Sequence, residues 1–268
     1  MGLSRTISLG MTRAKDAGWP ELLAAALAKG LGSSVLATMA EDYDQLLQQV
    51  IAGGVDVAWL PPLLHARAAE QGARLVALPQ RGGWLTFRSA LLVRKDDPVK
   101  NIAALRGVRA AWRDRSSASG YLFPRLELAA RGAPPEKAFS SEKFYGSVMD
   151  AALAVVNGEA DLCTCFVSDA ARDPARAAGE VRTALGEAAA KLRVLHVTDP
   201  IPPDGFVVAP RVSDEERAAI TTALLGMHGT AEGRKALEVV LQADRLAPVN
   251  DALLRSLKSW AEAAAARA

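Results

Sequence analysis

The run Arg113-Asp-Arg-Ser-Ser-Ala-Ser-Gly-Tyr121 holds the residues of this chain best suited to grip a small anion. It follows a strand-like apolar stretch, Gly107–Trp112, and opens a stretch, Tyr121–Ala130, that reads as a helix. A strand entering a helix through Ser and Gly aims hydroxyls and unpaired backbone N–H groups at one point. That point also faces the positive end of the helix dipole. The donors would be the Ser117 and Ser119 hydroxyls and the N–H groups of Ser119, Gly120 and Tyr121. Gly120 has no Cβ to hold a ligand off the backbone. The alternative is an ordinary N-cap made by Ser116, Ser117 or Ser119. Arg113 and Arg115 flank the turn, either drawing in an anion or simply solvated.

Catalytic patterns are missing by comparison. His65, His196 and His228 lie far apart, with no Cys/His or His/Glu spacing for a metal, so neither a metal nor a cofactor is expected. No Gly-x-Ser-x-Gly elbow or Walker loop occurs, and Ser119-Gly120 has no evident base beside it. Cys163 and Cys165 are two apart on a strand pattern, which puts both on one face as buried thiols.

The elements that would position the turn alternate strand and helix. Strands are expected at Thr6–Leu9, Ser34–Met39, Val55–Leu60, Arg74–Leu78, Ser89–Arg94, Val108–Trp112, Phe139–Phe144, Ala160–Val167, Val194–Val197 and Phe206–Ala209. Helices are expected at Trp19–Lys29, Tyr43–Ala52, Leu63–Glu70, Ser119–Arg131, Ser147–Asn157 and Ala175–Lys191. Three consecutive helices fill Ser213 to Ala268, the first opened by the capping box Ser213-Asp-Glu-Glu216. Such repetition predicts an α/β fold with mostly parallel sheets and ligands at the carboxyl ends of the strands. Crossings near Phe87–Leu92 and Val197–Phe206 predict two lobes, 1–90 plus 205–268 and 91–204, with a hinge and an interlobe cleft.

Composition excludes several classes. The chain has 268 residues, half of them hydrophobic, and a net charge of +2 with both signs interspersed; no basic stripe suggests nucleic acid. No apolar run approaches the roughly 18 residues that span a bilayer. Met1–Gly10 lacks the apolar core of a secretory leader. Met1-Gly2 with Thr6 fits a loose acylation pattern, read as coincidence because the first core strand begins there.

Five blocks, in order, resemble one family. They are Tyr43–Leu60, Arg88–Arg94, Ser117-Ala-Ser-Gly-Tyr121, Gly146-Ser147 with Asn157–Asp161, and Asp199-Pro-Ile-Pro-Pro-Asp204. Together they resemble the phosphate/phosphite/phosphonate-binding proteins of ABC importers, whose fold is that of type II periplasmic binding proteins. The resemblance implies a non-catalytic monomer that closes on a small phosphorus oxyanion and delivers it to an ABC permease. It implies ligand contacts from Ser117, Ala118, Ser119, Gly120 and Tyr121, with Ala118 standing where a Thr is common. It carries over to Tyr43 and to Phe87, which stands where a Tyr is common. It also makes Asp204 the partner of a ligand ammonium group, with Asp169 as a second acid. Trp59 ends its strand at the carboxyl edge and either walls the cleft or packs in the core. Tyr43 could likewise be core, Asp204 a turn cap, and Asp169 the N-cap of the next helix. The resemblance places the protein outside the cytoplasm, whereas the leaderless start would keep it inside. An enzyme or a ligand sensor built on the same fold is the alternative function.

Overall fold

The computed structural model describes residues 3–12, 18–115 and 117–265. Met1 and Gly2 of the acylation-like pattern, and Ser116 among the cap candidates, lie outside them. The chain divides into two compact units: one from the segments up to Leu85 and Pro202–Glu262, the other from Thr86–Ile201.

The first unit begins with β1 (Ile7–Thr12), α1 (Trp19–Leu31), β2 (Val35–Ala40), α2 (Tyr43–Ile51), β3 (Val57–Leu60), α3 (Pro62–Glu70) and β4 (Arg74–Gln80). Local signals set the helix bounds. Pro20 sits in the first turn of α1 and left-handed Gly32 ends it, while Asp42 caps α2 by accepting from Gln45 N–H. Leu23, Leu27, Leu46, Leu47 and Val50 recur at helical spacing and are buried against β1 and β3.

The second unit holds β5 (Phe87–Arg94), β6 (Val108–Trp112), α4 (Phe123–Ala130), α5 (Pro135–Ala138), β7 (Phe139–Phe144), α6 (Val148–Val156), β8 (Leu162–Ser168), α7 (Pro174–Leu185) and β9 (Leu192–Val197). Its sheet order is β7-β6-β8-β5-β9. Separate cores fill the two faces. Cys163, Cys165 and Val167 pack with α6 and α7, while Leu91, Trp112, Leu128 and Leu162 pack on the other side. Both thiols are buried and unbridged, and burial holds them protonated, Cys165 pushed up to about 11.

The chain then returns to the first unit through β10 (Gly205–Val208), α8 (Asp214–Gly226), α9 (Ala231–Ala236), β11 (Arg245–Pro248) and α10 (Asp251–Ala265). That sheet runs β11-β4-β10-β3-β1-β2. Ser213 and Glu216 form the expected capping box.

Both sheets are mixed rather than mostly parallel. β10 lies antiparallel between β3 and β4, and β5 lies antiparallel between β8 and β9. These two interior strands are where the chain enters each unit from the other, so no crossover helix sets their direction, and the edge strand β11 is also antiparallel to β4. The C-terminal region is also not three helices alone. β11, four residues ending in Pro248, interrupts it as an edge strand, where a missing N–H is tolerated. The helix expected over Ala175–Lys191 stops at Leu185 and continues as a 3₁₀ turn over Gly186–Lys191.

Candidate functional site

In the second unit the serine-rich turn is not the plain helix start that its sequence suggests. Ala118–Leu122 form a π turn leading into α4: Leu122 N–H reaches Ser117 O at 3.0 Å, and Phe123 N–H reaches Ala118 O. The next residue, Pro124, has no N–H, which leaves the carbonyls of Ser119 and Gly120 without their helical donors. Side chains from the sheet take that place. Ser89 Oγ on β5 donates to Ser119 O at 2.8 Å, and Thr164 Oγ1 on β8 donates to Gly120 O at 3.2 Å. The turn is thereby fastened to the sheet face at the carboxyl end of β6.

Ser117 is the N-cap of this turn. Its Oγ accepts from Gly120 N–H at 3.0 Å, so the Gly120 donor is already engaged. A hydroxyl that accepts still has its own proton to donate. Gly120 is required by close approach: a Cβ there would stand 2.6 Å from Ser117 Oγ and 2.9 Å from Arg113 Cβ. Ala118 and Ser119 are half-buried. Tyr121 turns its ring edge-on to Trp112 and Phe144, at 5.6 and 5.0 Å, so its ring is part of the packing behind the turn. Arg113 pairs with Asp114, and the Arg115 guanidinium lies over the Phe144 ring at 4.7 Å.

Phe87 opens β5 and is joined to Ile201 by two backbone hydrogen bonds, 3.1 and 2.7 Å. Its ring lies 5.4 Å from that of Phe166 on β8. Asp169 does not cap α7; Asp173 does, accepting from Arg176 N–H. Asp169 is buried and ion-paired with Arg88 at 2.9 Å.

In the first unit Tyr43, Trp59 and Asp204 come together at one sheet edge. β10 is antiparallel to its neighbours, so Asp204, just before its start, lies at the carboxyl ends of β1, β3 and β4. The Trp59 indole and Arg81 lie close enough to Asp204 to favour its charged form, and the Tyr43 hydroxyl lies close to Thr12. Burial pushes the Asp204 carboxyl up to about 6, against the opposing pull of Arg81 and Trp59. Burial, reinforced by the Asp204 charge, raises the Tyr43 phenol. The Trp59 ring itself is buried, edge-on to Phe206 at 4.9 Å. Arg81 carried no motif in the sequence. It is fixed by donating to the carbonyls of Leu241 and Gln242, at 2.7 and 3.1 Å, where Gln242 takes a left-handed conformation.

Among the described residues no helix is long and apolar enough to cross a membrane, and no group of three or more His, Cys, Asp or Glu is arranged to hold a metal ion.

Comparison with known proteins gives the family. The curated relatives include the phosphate-import protein PhnD of Mycolicibacterium smegmatis, 30% identical over 151 residues, which are 52% of this chain and 47% of the relative. They also include the phosphonates-binding periplasmic protein of Escherichia coli K12, 26% identical over 219 residues, 78% of this chain and 61% of that protein. The chain thus spans about half to three-fifths of the length of these relatives. Among solved structures, XAC2383 from Xanthomonas citri bound to ATP shares the fold, with TM-score 0.75 and 20% identity over 98% of both chains. The family described as the phosphonate ABC transporter periplasmic substrate-binding protein matches residues 17–254. This chain accordingly belongs to the phosphonate-type periplasmic substrate-binding proteins of the ABC transporters.

Proposed function

We propose that this chain binds a small phosphorus oxyanion, a phosphonate, phosphite or phosphate, without transforming it, and delivers it to an ABC permease. The supporting observation is the Ser117–Tyr121 turn, where Gly120 N–H holds the Ser117 hydroxyl and two sheet hydroxyls hold the carbonyls behind it. Donors fixed before the ligand arrives lose little entropy on binding. The names of the curated relatives, one a phosphate-import protein and one a phosphonates-binding protein, support the same class of ligand. Tyr43, Trp59 and Phe87 are further ligand contacts in this reading, while Asp204 and Asp169 carry their charge beside Arg81 and Arg88. The chain acts as a monomer.

Titration calorimetry of the purified chain tests this. Phosphate, phosphite and methylphosphonate form the panel, with sulfate and ATP as the competing anions. Binding of at least one phosphorus oxyanion, with sulfate silent, is the expected outcome. Ser117→Ala with Ser119→Ala weakens it by roughly 2–4 kcal/mol, since a hydrogen bond to a charged group is worth about 1.5–3. Unchanged affinity in a folded double variant rejects the turn as the oxyanion holder, and ATP as the sole ligand rejects the ligand class.

A further inference from the structure

We propose that Phe87 and Phe166 select an uncharged, apolar substituent on phosphorus, so that the ligand is an alkyl- or arylphosphonate and not an aminoalkyl one. This rests on the phosphorus-oxyanion reading above and adds the class of its substituent.

Strand register carries the argument. In the β5–β8 pair Ser89 lies opposite Phe166, Leu91 opposite Thr164 and Phe87 opposite Ser168. Directly opposed residues project to the same face of a sheet, as do residues two apart on one strand. Ser89 and Thr164 use that face to reach the carbonyls of Ser119 and Gly120. Phe166 and Phe87 therefore stand on the face that carries the serine-rich turn, one step along the strands from it. Phe166 is 49% exposed although β8 is interior to its sheet, flanked by β6 and β5. An exposed phenyl with a half-buried one packed beside it, next to polar donors, is a surface prepared for an apolar group.

The acids nearby are already committed. Asp169, next to Ser168, is held by Arg88 at 2.9 Å, and both side chains are almost buried. Glu180 accepts from Ser168 N–H and Ser168 Oγ, both at 2.6 Å. At the strand edge of the other unit, Asp204 is neighboured by the Trp59 indole and by Arg81. A ligand ammonium would have to share a carboxylate whose charge Arg88 or Arg81 already offsets, or one that Ser168 already holds. An alkyl group needs only the two rings.

Propylphosphonate and 2-aminoethylphosphonate nearly match in shape and differ by a methyl against an ammonium group, so titrating both against the intact chain isolates the choice. Propylphosphonate is expected to bind about tenfold tighter or better, a difference that one group in an apolar pocket can supply. Phe166→Ala, an exposed site whose folding is checked by circular dichroism, should weaken propylphosphonate about fivefold or more while phosphite, which has no carbon substituent, stays within about twofold. Equal or tighter binding of the aminophosphonate overturns the proposal and leaves the oxyanion reading standing. So does a Phe166→Ala variant that weakens phosphite as much as propylphosphonate. Silence with every phosphorus compound removes both readings.

Discussion

Arg88 Nε lies 2.9 Å from Asp169 Oδ1, and the same guanidinium donates to Thr198 O at 2.8 Å. One side chain thus ties together the start of β5, the end of β8 and the chain just beyond β9. Both members of the ion pair are 11% exposed in their side chains, so neither charge is well served by water alone. Removing one partner of such a pair is far more costly than removing both. Arg88→Met is expected to lower stability by about 3–5 kcal/mol in urea denaturation, and Arg88→Met with Asp169→Leu to recover most of it. A double variant as unstable as the single one would show that the Thr198 contact, not the charge pair, is what matters.

Gly120 is held to its identity by Ser117. A methyl group 2.6 Å from Ser117 Oγ must break the cap that this hydroxyl makes. Gly120→Ala should cost about 1–3 kcal/mol, combining a lost cap and local overpacking. A thermal melt reads the loss, and oxyanion affinity should fall in parallel because the hydroxyl is no longer fixed. Retained affinity in a destabilised variant would separate the cap from the ligand donor.

Asp204 gives a pH dependence with a definite sign. Its carboxyl is raised to about 6 in the folded chain, above its ordinary value of 3.8, because burial opposes the charge. Between those values the folded state binds the proton that the unfolded chain has released. The stabilising contribution is therefore complete below about pH 4 and lost as pH rises through about 6. Asp204→Asn keeps an acceptor for the Trp59 indole and carries no charge. Relative to the parent it should gain stability as pH rises from 4 to 6, levelling at roughly 1–3 kcal/mol, since one pKa unit is worth about 1.4. A difference that stays flat with pH contradicts this.

Asp56 is the electrostatic hub of the first unit. Its buried carboxylate accepts from Ser8 N–H and Ser8 Oγ at 2.9 Å and is paired with Arg5 and Arg211, each also at 2.9 Å. Arg5 and the Ser8 donors hold the carboxyl below the usual range despite burial. Asp56→Ala should cost about 3–5 kcal/mol at neutral pH, because two cations and a hydroxyl lose one shared partner. The deficit should shrink in acid, where the parent carboxylate is itself protonated, and denaturation at two pH values measures this.

The order of strands and helices was legible because apolar residues recur with the right periods: Leu46, Leu47 and Val50 in α2, or the unbroken run of β3. Strand direction was not, since β10 and β5 read like any buried strand and only pairing reveals their reversal. The π turn was hidden in the same way. The hydroxyls that answer the missing N–H of Pro124 come from Ser89 and Thr164, far away in sequence. Tyr43, Trp59 and Asp204 could be picked out singly, yet Arg81 could not, because its position is set by carbonyls at the end of a distant helix. Phe166 sits within Leu162–Val167, where alternation defines two faces without saying which one is left uncovered.

The place of β10 bears on how the protein is made. β3 and β4 do not pair with each other; they are bridged by a strand that emerges from the ribosome only after all of Thr86–Ile201. The nascent first unit therefore has a gap in the middle of its sheet, whereas the second unit has every strand of its own as soon as it is synthesised. When the second unit folds, the hydrogen bonds between Phe87 and Ile201 bring its two ends side by side. The long loop between β4 and β10 is then closed in advance, and most of its entropic cost has already been met. In this chain the earliest residues to be translated are among the last able to complete their fold.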